Sequence, residues 1–295
     1  MKFSIIIPTY NRKNLLIKCL NELEKQTYDD FEVIVIDDGS TDGSEIVNEE
    51  TYKFKLVYKK ITNSGGPARP RNIGISISSG EFICLLDVDD FWFENKLEVC
   101  LNYLNNDVDI LYHDMLILDE KGLQVGIFKG RHLNKNNVVF DLFKLFNPIC
   151  NSSVIIRRKA IEMNLKFNED IKYHFVEDFE LWIRMALISK KFLYLNKTLG
   201  VYLLHSSNNS NNLSSQCSKM EMLYSTYLSS FSMKQQKIII GSLNYYLGCQ
   251  NDKMSIVDKK KSLYYYFISL RSSTFILKLK SLMKIIKISI KVLYV

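Results

Sequence analysis

The strongest constraint on the fold is an alternation, near the start of the chain, between short apolar runs and segments with helical periodicity. Phe3–Ile7, Phe31–Ile36 and Phe82–Leu86 are continuous apolar runs, as is typical of strands that are buried on both faces. Between the first two runs, Asn14–Gln26 places its apolar residues on one side of a helix. The alternation predicts an α/β fold with a mostly parallel sheet flanked by helices.

The alternation of predicted strands and helices becomes less regular further along the chain. The stretch Ser206–Ser215 consists almost entirely of Ser and Asn, which predicts a loop and a domain boundary. We therefore expect one domain over residues 1–212 and a helical C-terminal region over residues 213–295. The further predicted elements are strands at Asp109–Leu118, Ser153–Arg157 and Leu199–Leu204, and helices at Phe93–Leu104, Asn137–Phe146 and Asp178–Ile188.

Polar residues follow three of the predicted strands at the point where each strand ends. These clusters are Pro8–Arg12, Asp37–Ser40 and Asp87–Asp90. In open parallel sheets, ligands bind beyond the carboxyl ends of the strands. A single cluster would indicate only a turn, but three converging clusters, two of them acidic, predict a ligand site.

The cluster Asp87-Val88-Asp89-Asp90 carries three carboxylates within four residues. Such carboxylates repel one another unless a cation lies between them. Mg²⁺ and Mn²⁺ take one or two carboxylates and complete their coordination with phosphate oxygens and water. The alternative is an acidic turn that caps a helix beginning near Phe91, because Asp at a helix start accepts from free N–H groups.

Two later segments carry further candidate groups. Gly65–Asn72 is a glycine-rich turn into a helix with two arginines, which favours a nearby diphosphate, although a plain connector has the same composition. Asp178 precedes a buried helix and is suited to act as a general base, or alternatively as the N-cap of that helix. His205 follows a predicted strand and is a candidate ligand, although a lone His is more often a surface or core residue.

Positive charge is concentrated in the C-terminal segment 259–295. This segment holds eight Lys and one Arg and no acidic residue, so that the rest of the chain, with a total of +7, sums to 7 − 9 = −2. A uniformly basic nucleic-acid binder is therefore not expected. Lys280, Lys284, Lys287 and Lys291 fall on one helical stripe about 60° wide, with apolar residues on the opposite side. This pattern predicts a helix that lies on an anionic membrane surface, or alternatively one that packs on the protein or in a dimer.

We expect no targeting segment, because the apolar run that ends at Pro8 is too short for one, and no membrane-spanning helix, because no apolar stretch reaches about 18 residues. Its six cysteines are far apart and match no disulfide or metal-binding spacing, so we expect reduced thiols. The expected location is the cytoplasm, at the inner face of the plasma membrane.

These motifs together resemble the family-2 glycosyltransferases of bacteria, which have the GT-A fold. The resemblance covers about residues 3–210. Its matching segments, in family order, are Ser4–Arg12, Val35–Asp42, Ala68–Gly74, Gly80–Ile83, Leu86–Asp90 and Glu177–Trp182. The Gln-x-x-Arg-Trp signature of processive members is absent after Asp178, and Leu204 stands where the family often has Arg before its late histidine.

The resemblance implies a role for individual residues. Asp89 would bind Mn²⁺ or Mg²⁺, with Asp90 as a rival, and His205 would reach the metal or the diphosphate. Asp178 would be the base that deprotonates the acceptor hydroxyl. Asp38 would accept a hydrogen bond from uracil, and Asp87 would lie near the ribose or the donor sugar. The residues implied in nucleotide-sugar binding are Pro8, Thr9, Tyr10, Asn11, Asp38, Arg71, Asn72 and Asp87.

The sequence thus predicts an inverting transferase that moves a sugar from a UDP-sugar to a saccharide acceptor. Together with the basic tail, the resemblance favours a polyprenyl-diphosphate-linked acceptor in the synthesis of a bacterial surface polysaccharide. The alternatives are transfer to a soluble glycan or protein, and an inactive scaffold that binds nucleotide-sugars.

Overall fold

The computed structural model describes residues 1–162, 166–205, 213–254 and 259–293. The chain forms two compact units that are interleaved in sequence. The first comprises Met1–Lys135 and Pro148–Ser206, and the second Asn136–Asn147 and Ser207–Val295. Most of the loop predicted at Ser206–Ser215 lies outside the described residues.

The first unit contains all the strands of the described chain and the shorter helices. The strands are β1 (Phe3–Thr9), β2 (Phe31–Asp37), β3 (Lys55–Lys60), β4 (Phe82–Leu85), β5 (Phe91–Trp92), β6 (Ile110–Leu118), β7 (Gln124–Phe128), β8 (Ile155–Arg157) and β9 (Phe192–Leu203). The helices are α1 (Lys13–Leu23), α2 (Ala68–Ile77), α3 (Lys96–Leu101), α5 (Arg158–Ile161) and α6 (Glu177–Ile188), with α4 (Val138–Lys144) in the second unit.

The strands form one sheet in the order β3-β2-β1-β4-β8-β6-β9-β5, with β7 paired to β6. The four strands from β3 to β4 are parallel, as the apolar runs predict. Beyond β4 the sheet is mixed, because β8 runs antiparallel to both of its neighbours whereas β6 and β9 run parallel. The predicted α/β architecture is confirmed.

Close packing fixes α2 against the parallel half of the sheet. Ile6 lies beside Ile34 and Leu85 in the strand register, and all three side chains are fully buried. A Cβ on Gly74 would lie only 2.5 Å from Cγ2 of Ile6, so the helix backbone rests directly on β1. The N-terminal turn of α2, which carries Arg71, is thereby held at the edge of the sheet where the strands end.

The segment after the acidic turn differs from the prediction. Phe91–Trp92 is a short strand that pairs antiparallel with Val201 and Gly200 of β9, and α3 begins only at Lys96. The alternative interpretation of the acidic turn as the cap of a helix beginning near Phe91 is therefore wrong. Pairing with a strand more than a hundred residues away overrides the local helical pattern.

The second unit is helical, as predicted for the C-terminal region. Besides α4 it contains α7 (Leu213–Leu228), α8 (Met233–Met254), α9 (Lys259–Ser272) and α10 (Phe275–Leu293). Helix α4 packs on its own unit through Phe143, whose ring meets Tyr224 edge to face at 4.9 Å between centroids. Within the described residues, no helix combines the length and the apolar character needed to cross a bilayer.

Candidate active site

The ends of β1 and β2 meet, and Asp38 lies at the junction. Its backbone N–H donates to the carbonyl of Thr9 at 2.8 Å. The carboxylate is buried, and its Oδ1 accepts from both the backbone N–H and the hydroxyl of Ser64, each at 2.8 Å. Asp38 therefore connects the loop after β3 to the first two strands. Ser64 was missed from the sequence because its segment matches no phosphate-binding motif.

The loop Pro8–Arg12 is held by hydrogen bonds to the second polar cluster. Asn11 adopts a left-handed backbone with φ of 50°, and its N–H donates to the Ser40 hydroxyl at 2.8 Å. The amide oxygen of Asn11 accepts from the N–H of Thr41. Pro8 belongs to β1, whereas the Tyr10 ring is half exposed and free to stack on a planar ligand. The first and second clusters thus converge as predicted.

The three carboxylates of the acidic turn point to different partners. Asp90 is buried, with Oδ2 accepting from the Ser152 hydroxyl at 2.5 Å and Oδ1 from the Leu203 N–H at 3.2 Å. Burial, and then the charges of Asp89 and Asp87, raise the pKa of Asp90 well above its ordinary value. Because both of its oxygens hold the fold together, Asp90 is a poor rival to Asp89 as a metal ligand.

Asp89 faces His205, and Asp89 Oδ2 lies 2.6 Å from His205 Nε2. Burial and the nearby charge of Asp87 raise the pKa of Asp89, so a cation at this position would be favoured by the carboxylates around it. Within the residues that the structure describes, no group of three or more His, Cys, Asp or Glu side chains could hold a metal. A carboxylate and an imidazole nevertheless fit a cation whose other ligands are diphosphate oxygens and water.

Arg71 joins the acidic turn to α6. Its Nη2 donates to Asp87 Oδ1 at 2.7 Å and its Nη1 to Glu177 Oε1 at 2.9 Å. The guanidinium is buried and lies 5.2 Å from the centroid of the Phe167 ring. Asp87 also accepts from the amide of Asn151 at 3.1 Å. Arg71, which the resemblance implies in nucleotide-sugar binding, is therefore engaged by two carboxylates.

Asp178 lies in the first turn of α6, next to Glu177. The N-cap position belongs to Val176, so the interpretation of Asp178 as the helix cap is wrong. Burial, and then the negative charge of Glu177, raise the pKa of Asp178 to about 7, with Arg71 opposing that increase. A carboxyl group with a pKa near 7 has the properties required of a general base at neutral pH.

Asn72 is occupied within the fold. Its Nδ2 donates to the Phe167 carbonyl at 2.9 Å and to Glu169 Oε1 at 2.7 Å, while its Oδ1 accepts from the Phe167 N–H at 2.8 Å. Both amide donors are thus used to anchor the segment after residue 166. Asn72 therefore shapes the site through this segment, and its implied role in binding the donor stays a prediction.

A cavity of about 360 Å³ opens between the loop after β3 and the segment that Asn72 anchors. Its carboxylates and imidazole come from the second of these segments and from α6. The lining residues are Asn63, Ser64, Gly65, Gly66, Pro67, Ala68, Arg69, Asn168, Glu169, Asp170, Ile171, His174 and Glu177. Glu169 and His174 were missed from the sequence because the segment carrying them shows no motif and no periodicity.

A parallel sheet with an acidic turn at its carboxyl edge is typical of GT-A glycosyltransferases. The family model described as "Glycosyl transferase family 2" matches residues 4–162. The chain therefore belongs to glycosyl transferase family 2, and it is a glycosyltransferase. This confirms the resemblance on which the sequence-based assignment of the class rests.

Relatives with assigned roles include the amylovoran biosynthesis glycosyltransferase AmsB of Erwinia amylovora. It is 28% identical over 214 residues, which cover 68% of this chain and 69% of AmsB. An uncharacterized glycosyltransferase of Rickettsia bellii is 36% identical over 189 residues, or 63% of this chain. The matched region spans only 26% of that protein, so the chain corresponds to about a quarter of it.

Solved structures share the fold. Residues 1–349 of Staphylococcus aureus TarS in complex with UDP-GlcNAc superpose with a TM-score of 0.67 at 22% identity, covering 98% of this chain and 89% of that one. The mannosyltransferase PcManGT of Pyrobaculum calidifontis, in complex with GDP-Man and Mn²⁺, gives a TM-score of 0.62 at 15% identity. That match covers 99% of this chain and 87% of PcManGT, and at such identities it shows the fold alone.

Proposed function

We propose that the protein is an inverting, metal-dependent transferase that moves a sugar from a UDP-sugar to a hydroxyl group of a saccharide acceptor. The observation that carries the proposal is the Arg71 bridge. One guanidinium contacts both Asp87 of the acidic turn and Glu177, the neighbour of Asp178. A single side chain therefore links the acidic turn to the helix that begins with Glu177 and Asp178, and this supports a direct displacement, for which the donor and the base must lie close together.

The donor would occupy the edge of the sheet where the first two polar clusters meet. Tyr10, after β1, offers an exposed ring for stacking, and Asp38, after β2, accepts a hydrogen bond from the Ser64 hydroxyl at the same edge of the sheet. TarS binds UDP-GlcNAc on the same fold, which supports uracil as the base. PcManGT binds GDP-Man, so both nucleotides belong in the test.

Asp89 and His205 would hold a Mn²⁺ or Mg²⁺ ion together with the donor diphosphate. When bound, the cation would offset the negative charge that develops on the leaving diphosphate. Asp178 would accept the proton of the acceptor hydroxyl while the oxygen of that hydroxyl attacks the anomeric carbon of the donor sugar. The bond between the anomeric carbon and the diphosphate would break in the same step. Because its pKa lies at about 7, a large fraction of Asp178 is ionised and available at neutral pH.

A panel of UDP- and GDP-sugars, assayed for transfer to diphosphate-lipid acceptors with and without Mn²⁺, tests the reaction. Asp178→Asn should reduce transfer by at least about 100-fold while UDP affinity stays within about twofold, because the base acts only on the acceptor. Asp119→Asn, in a surface turn, is the matched control and should retain the wild-type rate. Full transfer activity of Asp178→Asn would refute the assignment of the base.

The place of action that we propose is an anionic membrane surface, because α10 presents an apolar face to solvent. Exposed apolar side chains occupy one stripe roughly 120° wide at 100° per residue. They are Phe275, Ile276, Leu279, Leu282, Met283, Ile286 and Ile290. The side of α10 that is buried in its own unit carries Leu277, Ser281 and Ile288 instead. The apolar stripe is therefore not packed on the helical unit.

Charge at the border of this stripe favours a lipid surface over a protein partner. Lys280 and Lys287 are exposed beside it, whereas Lys284 is turned toward Asp252 with an N···O distance of 3.0 Å. The side chain of Lys291 lies outside the described residues. An exposed apolar stripe with a cationic border is the pattern of a helix that lies in the membrane interface. A lipid-linked acceptor would be reached there, which fits relatives such as AmsB, named for amylovoran biosynthesis.

Vesicle sedimentation tests this placement without removing α9, which packs on α8. Met283→Glu/Ile286→Glu should lower binding to phosphatidylglycerol vesicles by at least about 10-fold, since two exposed apolar side chains that would enter the membrane interface become charged. The matched control is Leu187→Glu/Ile188→Glu, which changes two exposed apolar residues at the end of α6 and should bind like the wild type. Unchanged binding of the α10 variant, or loss of a dimer in its place, would refute the membrane placement and favour a soluble acceptor.

A further inference from the structure

Arg71 is a buried cation shared by two carboxylates from different elements. It belongs to the first turns of α2, whereas Asp87 follows β4 and Glu177 begins α6. The guanidinium is 4% exposed, and the Phe167 ring lies against it. Such burial of a charge is stable only when its partners are held in place. Arg71 therefore fixes the distance between the acidic turn and the helix that carries Asp178.

Glu177 is held by this arginine through one oxygen only. Its Oε1 accepts from Arg71, while its Oε2 is buried and has no hydrogen-bond partner among the described residues. The negative charge of Glu177 is therefore balanced mainly by Arg71. Because Glu177 directly precedes Asp178, the state of this ion pair acts on the base at short range.

Four groups act electrostatically on or near Asp178. Glu177 lies on the same helix, and Arg71 reaches it from α2. Asp87 acts from the acidic turn, and the thiol of Cys150, whose pKa is raised mainly by burial, is also affected by the charge of Asp178. Arg71 is the positive member of this set, and its charge favours the ionised form of Asp178.

We propose that Arg71 and Glu177 are positioning residues that set the ionisation of the base Asp178 as well as its distance from the acidic turn. This inference rests on the proposed role of Asp178. Glu177 raises the pKa of Asp178, whereas Arg71 lowers it. Removal of Glu177 should therefore move the pH dependence of transfer to lower pH, and removal of Arg71 should move it to higher pH.

The test is the pH profile of kcat at saturating donor, from pH 5.5 to 9. Glu177→Gln should shift the acid limb of the profile to lower pH, by about half a unit to one unit, because a like charge is removed. Arg71→Met should shift it to higher pH by about one unit, and Arg71→Lys should restore most of that shift. Glu177→Gln keeps its shape and can still accept from Arg71, so its donor KM should stay within about twofold.

Matched controls come from a second ion pair on α6. Arg184 donates from Nε to Glu180 Oε1 at 2.7 Å, one helical turn further along. Glu180→Gln and Arg184→Met should leave the acid limb unchanged. Circular dichroism and UDP binding show whether each variant is folded, and Glu177→Gln provides the test if Arg71→Met is not.

The two levels of the hypothesis fail in different ways. If Asp178→Asn retains transfer, the base assignment fails whatever the other variants do. If Asp178→Asn is inactive while Glu177→Gln and Arg71→Met lower kcat without moving the acid limb, only the inference about Arg71 and Glu177 fails. Such a result would mean that the ion pair holds the fold and does not set the ionisation of the base.

Discussion

Asp178→Asn should make the ligand-free protein more stable at alkaline pH, even though it removes the proposed base. In the folded chain the pKa of Asp178 is raised to about 7 from the ordinary value of 3.8, mainly by burial. The folded state therefore binds more protons at this group than the unfolded state does between these two pH values. The free energy of unfolding of the wild type therefore falls as the pH rises through this window. The Asp178→Asn variant does not lose this stability, because asparagine has no charge to bury.

The expected size follows from the shift in pKa. At about 1.36 kcal/mol per pH unit, raising the pKa from 3.8 to about 7 corresponds to at most about 4 kcal/mol above pH 7. Asp178 is partly accessible to water, and solvent screening reduces that cost. We therefore expect Asp178→Asn to raise the free energy of unfolding by about 1–3 kcal/mol at pH 8, and by clearly less at pH 5.

Urea denaturation of the wild type and the variant at pH 5, 6.5 and 8 measures this difference. Asp29→Asn, an exposed change in a loop, is the control and should alter neither stability nor its pH dependence. The reasoning is refuted if Asp178→Asn destabilises the protein at pH 8, or if its gain is the same at pH 5. The first result would mean that the carboxylate is ionised in the fold without penalty, and the second that the gain does not arise from its ionisation.

Asp90→Ala should lower the free energy of unfolding by about 1–3 kcal/mol, because it leaves the buried Ser152 hydroxyl without an acceptor; an unchanged urea midpoint would contradict this structural role. Gly74→Ala should cost about 1–3 kcal/mol, since its Cβ would lie 2.5 Å from Ile6 Cγ2; a more stable protein in thermal denaturation would show that α2 can move away. His205→Ala should raise the Mn²⁺ concentration for half-maximal transfer by at least about 10-fold, and an unchanged metal titration would exclude the histidine as a ligand.

The parallel half of the fold could be predicted because its signals are local. Runs such as Phe3–Ile7 and Phe31–Ile36 leave little choice other than buried strands, and buried parallel strands place their polar ends together. The meeting of Asp38 with the Thr9 loop follows directly from that arrangement. Proximity of the first two clusters is thus readable from the sequence alone.

The mixed half of the sheet and the details of the site depend on contacts between distant residues. Phe91–Trp92 becomes a strand only because β9 lies beside it, and no local pattern encodes that pairing. The sequence does not distinguish Asp89 from Asp90, since the difference is made by Ser152, 62 residues further on. Likewise, the sequence around Arg71 indicates a glycine-rich turn near a diphosphate, whereas the ion pair of the buried Arg71 side chain depends on the distant Glu177.

The interleaving of the two units bears on how such a chain can be inherited and divided. Helix α4 lies within the stretch that the first unit spans in sequence, yet it belongs to the helical unit, where the Phe143 and Lys144 carbonyls accept from Tyr224 and Ser242. A chain truncated after residue 212 would leave α4 without Tyr224 and Ser242. Recombination at a single junction therefore cannot exchange the helical unit cleanly, and we expect both units to have evolved as one block.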